Sequence, residues 1–421
     1  MAKYLLHKGF VVTGSDKKIS DISKDLEDLG AKIVYFHDEG NVKGADVVIY
    51  NSAIKNDNPE LNFAVDNKIP TFSRAQLLNL ISKYFKYKIG VSGSHGKTTV
   101  TSLISHILYA AGSNFTAHIG GFDQVFGNFI EFGKQIFLSE VCEFNRNIDL
   151  FYPDLAVVTN IDNDHMNCYK DLNDLTETFF RFLNKADVKI INGDDVRLKN
   201  YQNNAVTFGL SSGDYTVNDV KRFKDSQSFT IIGIGGTRLE VTTPFSGDYY
   251  IYDILAAVAV CKTLKISDEN VLDGLSNFKG VKRRNEILGE RNDVKYYADY
   301  AHHPSEISCY LKSVTSKMNL DEIYVVFQPH TYSRTKLLFN DFIEVFKDLK
   351  NLCLVKTYAA REVFDYDGSA EKLSKYLPDS VYFDDFISLY GWIDDNVPKG
   401  SIVLIVGAGD VYDFFSEKLI K

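Results

Sequence analysis

Short apolar runs alternate with amphipathic stretches along the chain, and the alternation restarts twice. Phe10-Val-Val-Thr-Gly14, Lys32-Ile-Val-Tyr-Phe36, Asp46-Val-Val-Ile-Tyr50 and Ile69-Pro-Thr-Phe72 read as strands. Between them, Ile19 to Leu29, a stretch capped at Asn58-Pro-Glu60, and Arg74 to Phe85 read as helices. Lys3 to Gly9 reads as the last turns of a helix closed by glycine. The second block begins with the strand Tyr87-Lys-Ile89 and the helix Val100 to Leu108. It continues through strands at Ile136–Glu140, Leu155–Asn160 and Val188–Asn192. From Ala205 to Thr243, β-rich segments punctuated by glycines predict an antiparallel patch. Buried helices follow at Tyr252–Lys262 and Ser267–Leu275. The third block has strands at Val294–Ala298, Glu322–Phe327, Leu352–Val355 and Ile402–Val406, each ending in a polar loop. The pattern predicts an α/β protein of doubly wound parallel sheets, divided as 1–85, 86–280 and 281–421.

Candidate chemistry concentrates where strands end. Gly93-Ser94-His95-Gly96-Lys97-Thr98-Thr99 joins a strand to a helix. Glycines there allow backbone N–H groups to close on phosphates, and the helix N-terminus adds positive potential. Lys97 is placed to reach outer phosphates and Thr98 to ligate Mg²⁺. The glycines at 90, 93 and 96 depart from the usual Gly-x4-Gly-Lys-Thr spacing. Glu140, Glu143 and His165 also fall at strand ends of this block, a donor set suited to Mg²⁺ and phosphate chemistry. Gly14-Ser15-Asp16 and Asn51-Ser52 mark the ligand edge of the first block.

Composition narrows the class. The 421 residues are 45% hydrophobic and 24% charged, an ordinary soluble balance. A formal net charge of −9 argues against nucleic acid as a partner. Five scattered cysteines lack metal-type spacing and fit reduced thiols in a cytoplasm. No signal peptide and no apolar run of membrane-spanning length occurs, so the expectation is a cytoplasmic protein with no membrane partner, monomeric or homodimeric.

With the phosphate loop heading the middle of three α/β blocks, the chain resembles the Mur ligases, enzymes that build the peptide stem of peptidoglycan. The resemblance runs in order through Gly14-Ser-Asp16, Ser52-Ala-Ile54, Asn58-Pro-Glu60, Gly93–Thr99, Thr159–Met166 and Phe278–Arg284. It continues through Asp299–Pro304, Gln328–Thr335, Tyr358–Glu362 and Gly407–Asp410. It implies a Rossmann-like first domain, a central P-loop ATPase-like parallel sheet, and a Rossmann-like C-terminal domain that closes over ATP. The implied reaction is ATP-dependent joining of L-alanine to UDP-N-acetylmuramate through an acyl phosphate, with Mg²⁺. A sister ligase adding a recycled peptide, or a catalytically degenerate nucleotide-binding paralogue, are the alternatives.

The resemblance also assigns roles. Gly93 to Thr99, Arg284, Asp299 and His303 are implied to bind ATP, with Arg284 near phosphate and Asp299 near the ribose. Thr98, Glu140, Glu143 and His165 are the implied metal ligands. Lys97, His165, His330 and Arg334 are the implied catalytic groups, with His165 or His330 as base. Ser15, Asp16, Ser52 and Asn128 are implied to hold the UDP substrate, and Arg361 the amino-acid carboxylate. Three departures from the family pattern stand out. The glycine-rich first βα unit that cradles the UDP diphosphate is absent from this sequence, so the first domain is expected to be truncated there, with the natural start upstream. Gly247-Asp-Tyr-Tyr250 and Asp253 replace a Gly-x-His-Asn segment and an asparagine, so Tyr249 or Tyr250 is expected to stack on adenine. Asn285 stands where an aromatic is usual.

Overall fold

The computed structural model describes residues 1–51, 54–55, 57–163, 166, 168–223, 226–315 and 319–419. These form two compact units: residues 1–216 with 253–277, and residues 217–252 with 278–421.

In the first unit, Tyr87–Ser92 is a central strand, flanked by Ile136–Glu140 and Leu155–Val158, both parallel to it. Buried on both faces, it is apolar at Ile89 and Val91, and Gly90 admits the rings of Phe151 and Phe182. The parallel ladder extends through Val188–Asn192 and Val206–Phe208 on one side and Phe115–Asp123 on the other. Phe115–Asp123 then pairs antiparallel with Gly127–Glu131. Helix Lys97–Ala110 buries Val100, Leu103, Ile104, Ile107 and Leu108. Helix Asp268–Asn277 approaches it so closely that a Cβ on Gly274 would lie 2.5 Å from the Ile107 Cα.

The N-terminal part of this unit differs from the single sheet that its pattern suggests. Among the described residues it consists of two separate parallel pairs, Thr13–Ser15 with Lys32–Val34 and Val48–Tyr50 with Thr71–Ser73. Each strand has three residues, too few to bury much surface. The apolar run at residues 10–14 enters its strand only at Thr13, leaving Val11 91% exposed. The helices are better specified. Ser20 and Ser23 form a reciprocal capping box before Asp21–Asp28, and Asn58 caps Pro59–Asp66 with proline in its first turn.

In the second unit, Gln227–Gly233 and Thr237–Thr243 form the expected antiparallel pair. Gly235 and Gly236 make its turn at φ +70° and +80°. Thr237, Leu239, Val241 and Thr243 face inward while the residues between them are exposed, a one-sided sheet. The main sheet runs Glu286–Arg291, Val294–Asp299, Ile402–Val406, Ile323–Phe327, Leu352–Val355, Ser380–Phe383. Its first pair is antiparallel and the rest parallel. One face buries Val325, Phe327, Phe342 and Phe346; the other buries Val326, Cys353, Ile405 and Phe415. Because Ile402–Val406 lies between Val294–Asp299 and Ile323–Phe327, the chain reverses its winding there. The carboxyl ends at Asp299, Gln328 and Gly407 therefore open onto a topological switch point.

Candidate active site

The phosphate loop of the first unit is built by close approach. Gly96, at φ +82°, precedes the first residue of helix Lys97–Ala110, in the left-handed region that glycine occupies freely. A Cβ on Gly93 would meet the Thr159 hydroxyl at 2.0 Å, and one on Gly96 would meet an Asp253 carboxylate oxygen at 2.4 Å. The neighbouring strand end locks the loop. Asn160 accepts from the His95 N–H at 2.9 Å and returns a bond to the His95 carbonyl at 3.1 Å. The Asp162 N–H donates to Ser94 Oγ at 2.8 Å, and His95 Nε2 lies 2.9 Å from Asp162 Oδ2.

Lys97 folds back over this loop. Its ammonium donates to the carbonyls of Gly93 and Ser94 and lies 3.1 Å from the Glu143 carboxylate. Burial pulls the lysine pKa down, but Glu143, Cys142 and Glu140 more than offset it, so Lys97 is held above the ordinary lysine range. Thr98 donates to Glu140 Oε2 at 2.8 Å, and the same oxygen accepts from the Gly120 N–H at 3.0 Å. A Cβ on Gly120 would lie 2.2 Å from that oxygen, so glycine is what permits the carboxylate to sit there. Thr99 is buried one residue further along the helix. The structure thus brings together Gly93 to Thr99, Glu140 and Glu143. His165 and Ser52 lie outside the described residues.

The other first-unit candidates have local partners. Ser15 donates to Glu60 at 2.6 Å, and its hydroxyl lies 3.0 Å from His37 Nδ1. Asp16 is exposed and accepts from the Lys17 N–H at 2.6 Å. Asn128 is half-buried on the strand Gly127–Glu131.

In the second unit, Asp299 ends its strand and accepts from the N–H groups of Asn285 and Ala301, both at 2.8 Å. Burial raises its carboxyl to about 6, although Arg284 and those two donors pull the other way. Asn285 has φ +47°, a left-handed conformation that asparagine tolerates better than most side chains, which accounts for its presence there. Arg284 lies over the Tyr300 ring at 5.3 Å. His303 is buried, with Nδ1 2.7 Å from Ser305 Oγ. His330 lies against Arg334, which approaches Nδ1 at 3.4 Å, and its ring stacks on Tyr358 at 5.5 Å. Burial and then the Arg334 charge push its pKa down to about 4. It is therefore neutral at physiological pH but a weak base. Tyr358 also lines a cavity of about 300 Å³ with Gln328, Lys356, Asp384 and Asp410. Arg361 is exposed on the loop after Tyr358.

Two expectations change on inspection. Tyr250 is 1% exposed, its ring stacked on Phe245 at 4.9 Å and its hydroxyl donating to the Arg284 carbonyl at 3.0 Å. It is a core residue, with no face left for a base; Tyr249 is half-buried beside it. Asp253, read as a replaced adenine contact, instead abuts the phosphate loop at Gly96. Sequence reasoning also missed Gly120, whose small size has no motif to announce it.

Comparison with known proteins follows this layout. Three family models match: the Mur ligase family catalytic domain over residues 1–86, the Mur ligase middle domain over 91–261, and the Mur ligase glutamate ligase domain over 283–409. The UDP-N-acetylmuramate–L-alanine ligase of Acetivibrio thermocellus is 38% identical, covering 98% of this chain and 91% of its own. That of Clostridium acetobutylicum is also 38% identical, covering 98% and 93%. The solved UDP-N-acetylmuramate–alanine ligase of Thermotoga maritima has the same fold, with a TM-score of 0.84 at 24% identity over 100% of this chain and 94% of that one. A murein peptide ligase from Psychrobacter arcticus scores 0.75 at 18% identity over 100% and 95%. Matched along almost its whole length by domain models and by relatives well above 30% identity, the chain belongs to the Mur ligase family.

Proposed function

We propose that this chain joins L-alanine to UDP-N-acetylmuramate at the expense of ATP. The observation that carries the reading is the phosphate loop with Lys97 paired to Glu143 beside the linked Thr98–Glu140 pair, in a chain whose relatives named above are alanine-adding ligases. The donors fit the cofactor. Thr98 Oγ1, Glu140 and Glu143 are hard oxygens, the set that Mg²⁺ prefers, and the Gly93–Gly96 turn packs so closely on Thr159 and Asp253 that neither glycine could carry a Cβ. When bound, magnesium and ATP supply an activated terminal phosphoryl group that makes the lactyl carboxylate an acyl donor. Lys97 then has a defined task. Its ammonium, kept charged by Glu143, spreads the negative charge that develops on the transferring group. Thr98 and Glu140 would hold the cation on the same loop, and the loop N–H groups would hold phosphate oxygens. In the second unit, we assign Asp299 to the ribose, Arg284 to phosphate, and Arg361 to the amino-acid carboxylate. The expected base roles of His165 and His330 belong to the same reading. His330, depressed to about 4, suits accepting a hydrogen bond from the incoming amine better than removing a proton from an ammonium. Ser15, Asp16, Ser52 and Asn128 complete the proposal as contacts to the UDP substrate.

The test is phosphate release with ATP, Mg²⁺ and UDP-N-acetylmuramate, with and without an amine. L-Alanine should stimulate release and a stem peptide should not. Stimulation by the peptide alone would move the chain to the recycling ligases. No amine-dependent release from a folded, nucleotide-binding protein would make it a degenerate paralogue.

A further inference from the structure

The backbone immediately after Glu143 is unusual. Asn145 and Arg146, neither of them glycine, are both left-handed, at φ +51° and +55°. Such consecutive conformations persist only where surrounding contacts over-determine them. Here the contacts are specific. The Arg146 guanidinium donates to Asp174 Oδ2 and to Thr178 Oγ1, both on the helix Leu172–Asn184, and lies 5.0 Å above the Tyr169 ring. Asp174 also accepts from the Lys170 N–H at 3.1 Å, and the Arg146 hydrogen bond holds its carboxyl below the usual range. Tyr169, buried, donates its hydroxyl to the Glu143 carbonyl at 2.5 Å, and the Arg146 N–H donates to the same carbonyl at 3.0 Å.

We propose that Tyr169, Arg146 and Asp174 are positioning residues for Glu143, and through it for Lys97 and the magnesium-nucleotide. This rests on the reading above that Glu143 serves the nucleotide site. The logic is mechanical. Glu143 is 1% exposed, and its carboxylate must face Lys97 while the chain turns away at once into a short helical segment. A relaxed right-handed turn at 145 and 146 would re-aim the backbone at 143. Tyr169 and Arg146 grip the carbonyl of Glu143, and Asp174 anchors Arg146 to the start of a long helix, so the carboxylate direction is fixed by groups that lie outside the Gly93–Thr99 loop. Partners of this kind typically change metal affinity by about 10- to 100-fold when removed.

The experiment is calorimetric binding of magnesium adenylyl imidodiphosphate to the full chain, with thermal melting and the KM for UDP-N-acetylmuramate measured alongside. Tyr169→Phe removes one hydroxyl, and Arg146→Gly removes the guanidinium while keeping a residue at ease with positive φ. Both should weaken magnesium-nucleotide binding about 10-fold, with the KM for the UDP substrate unchanged. Arg146→Lys should restore part of the loss. If both variants bind the analogue as tightly as the parent while Glu143→Gln binds it weakly, the brace is overturned and the role of Glu143 stands. If Glu143→Gln also binds normally, both readings fall. If the loss comes with an equal loss for the UDP substrate and a lowered melting temperature, the contacts are merely structural and the proposal fails.

Discussion

Lys97 in the first unit and His330 in the second are both partly buried bases, and loss of solvent acts on each in the same direction, against the charged form. The outcomes are opposite. Lys97 faces Glu143 at 3.1 Å with Glu140 and Cys142 nearby, and it stays charged beyond the ordinary lysine range. His330 faces Arg334 at 3.4 Å, and the like charge adds to burial, leaving a neutral imidazole near 4. For Lys97 the neighbouring acidic groups override burial, whereas for His330 burial is the larger cause and the Arg334 charge adds to it. A phosphoryl-transfer site needs a fixed cation; a site receiving an amine needs a neutral acceptor.

The comparison can be broken most severely at Lys97. Lys97→Ala should lower the rate of alanine-dependent phosphate release by about 10³-fold or more, with a melting temperature close to that of the parent. Unchanged turnover would remove Lys97 from the mechanism. Next, Gly96→Ala puts a methyl group where the Asp253 carboxylate sits and forces a non-glycine residue to φ +82°. Displacing the loop by even an ångström should cost roughly 100-fold in kcat/KM for ATP, read from initial rates. A third change tests the neighbour's contribution. Arg334→Gln leaves His330 partly buried but removes the like charge, so its pKa should climb from about 4 toward the ordinary histidine value by about one unit, seen in an NMR titration of the ring protons. No movement would mean that burial alone sets it.

The smallest expected effect lies at Asp299. Its folded pKa is raised to about 6 from 3.8, so the folded state binds the proton more tightly than the unfolded chain. That contribution to stability is fully present below about pH 4 and is lost as pH rises through 6. Thermal melts of the parent should therefore show a decline between pH 4 and 6 that Asp299→Asn flattens. An identical slope in both proteins would show that Arg284 and the two backbone donors fully stabilise the charged carboxylate.

Local signals explain what was legible. The phosphate loop was readable because its glycines, lysine and threonine are adjacent in sequence and bracketed by a strand and a helix. The helix start at Asn58 was readable because capping is a three-residue event. The strand ends of the second unit were readable because each apolar run stops abruptly at polar residues. The three-residue strands near the N-terminus were overdrawn, since periodicity reports apolar residues whether or not a partner covers them. Tyr250 was misjudged because an aromatic next to a site motif is as easily a core residue, and only the ring of Phe245 packed against it decides.

By itself, then, the sequence determined the α/β class, the family, and the presence of a glycine-rich strand–turn–helix, because each is written in contiguous residues or in order along the chain. Only the tertiary structure decided that Lys97 pairs with Glu143, that Gly120 makes room for Glu140, that Asp253 abuts Gly96, and that Arg146 is held left-handed by Asp174 and Tyr169. Those contacts join residues from 20 to 157 positions apart, and no local pattern encodes which distant side chain will arrive. Electrostatic outcomes depend on that arrival, since a buried charge is stabilised or suppressed by whichever partner the fold delivers.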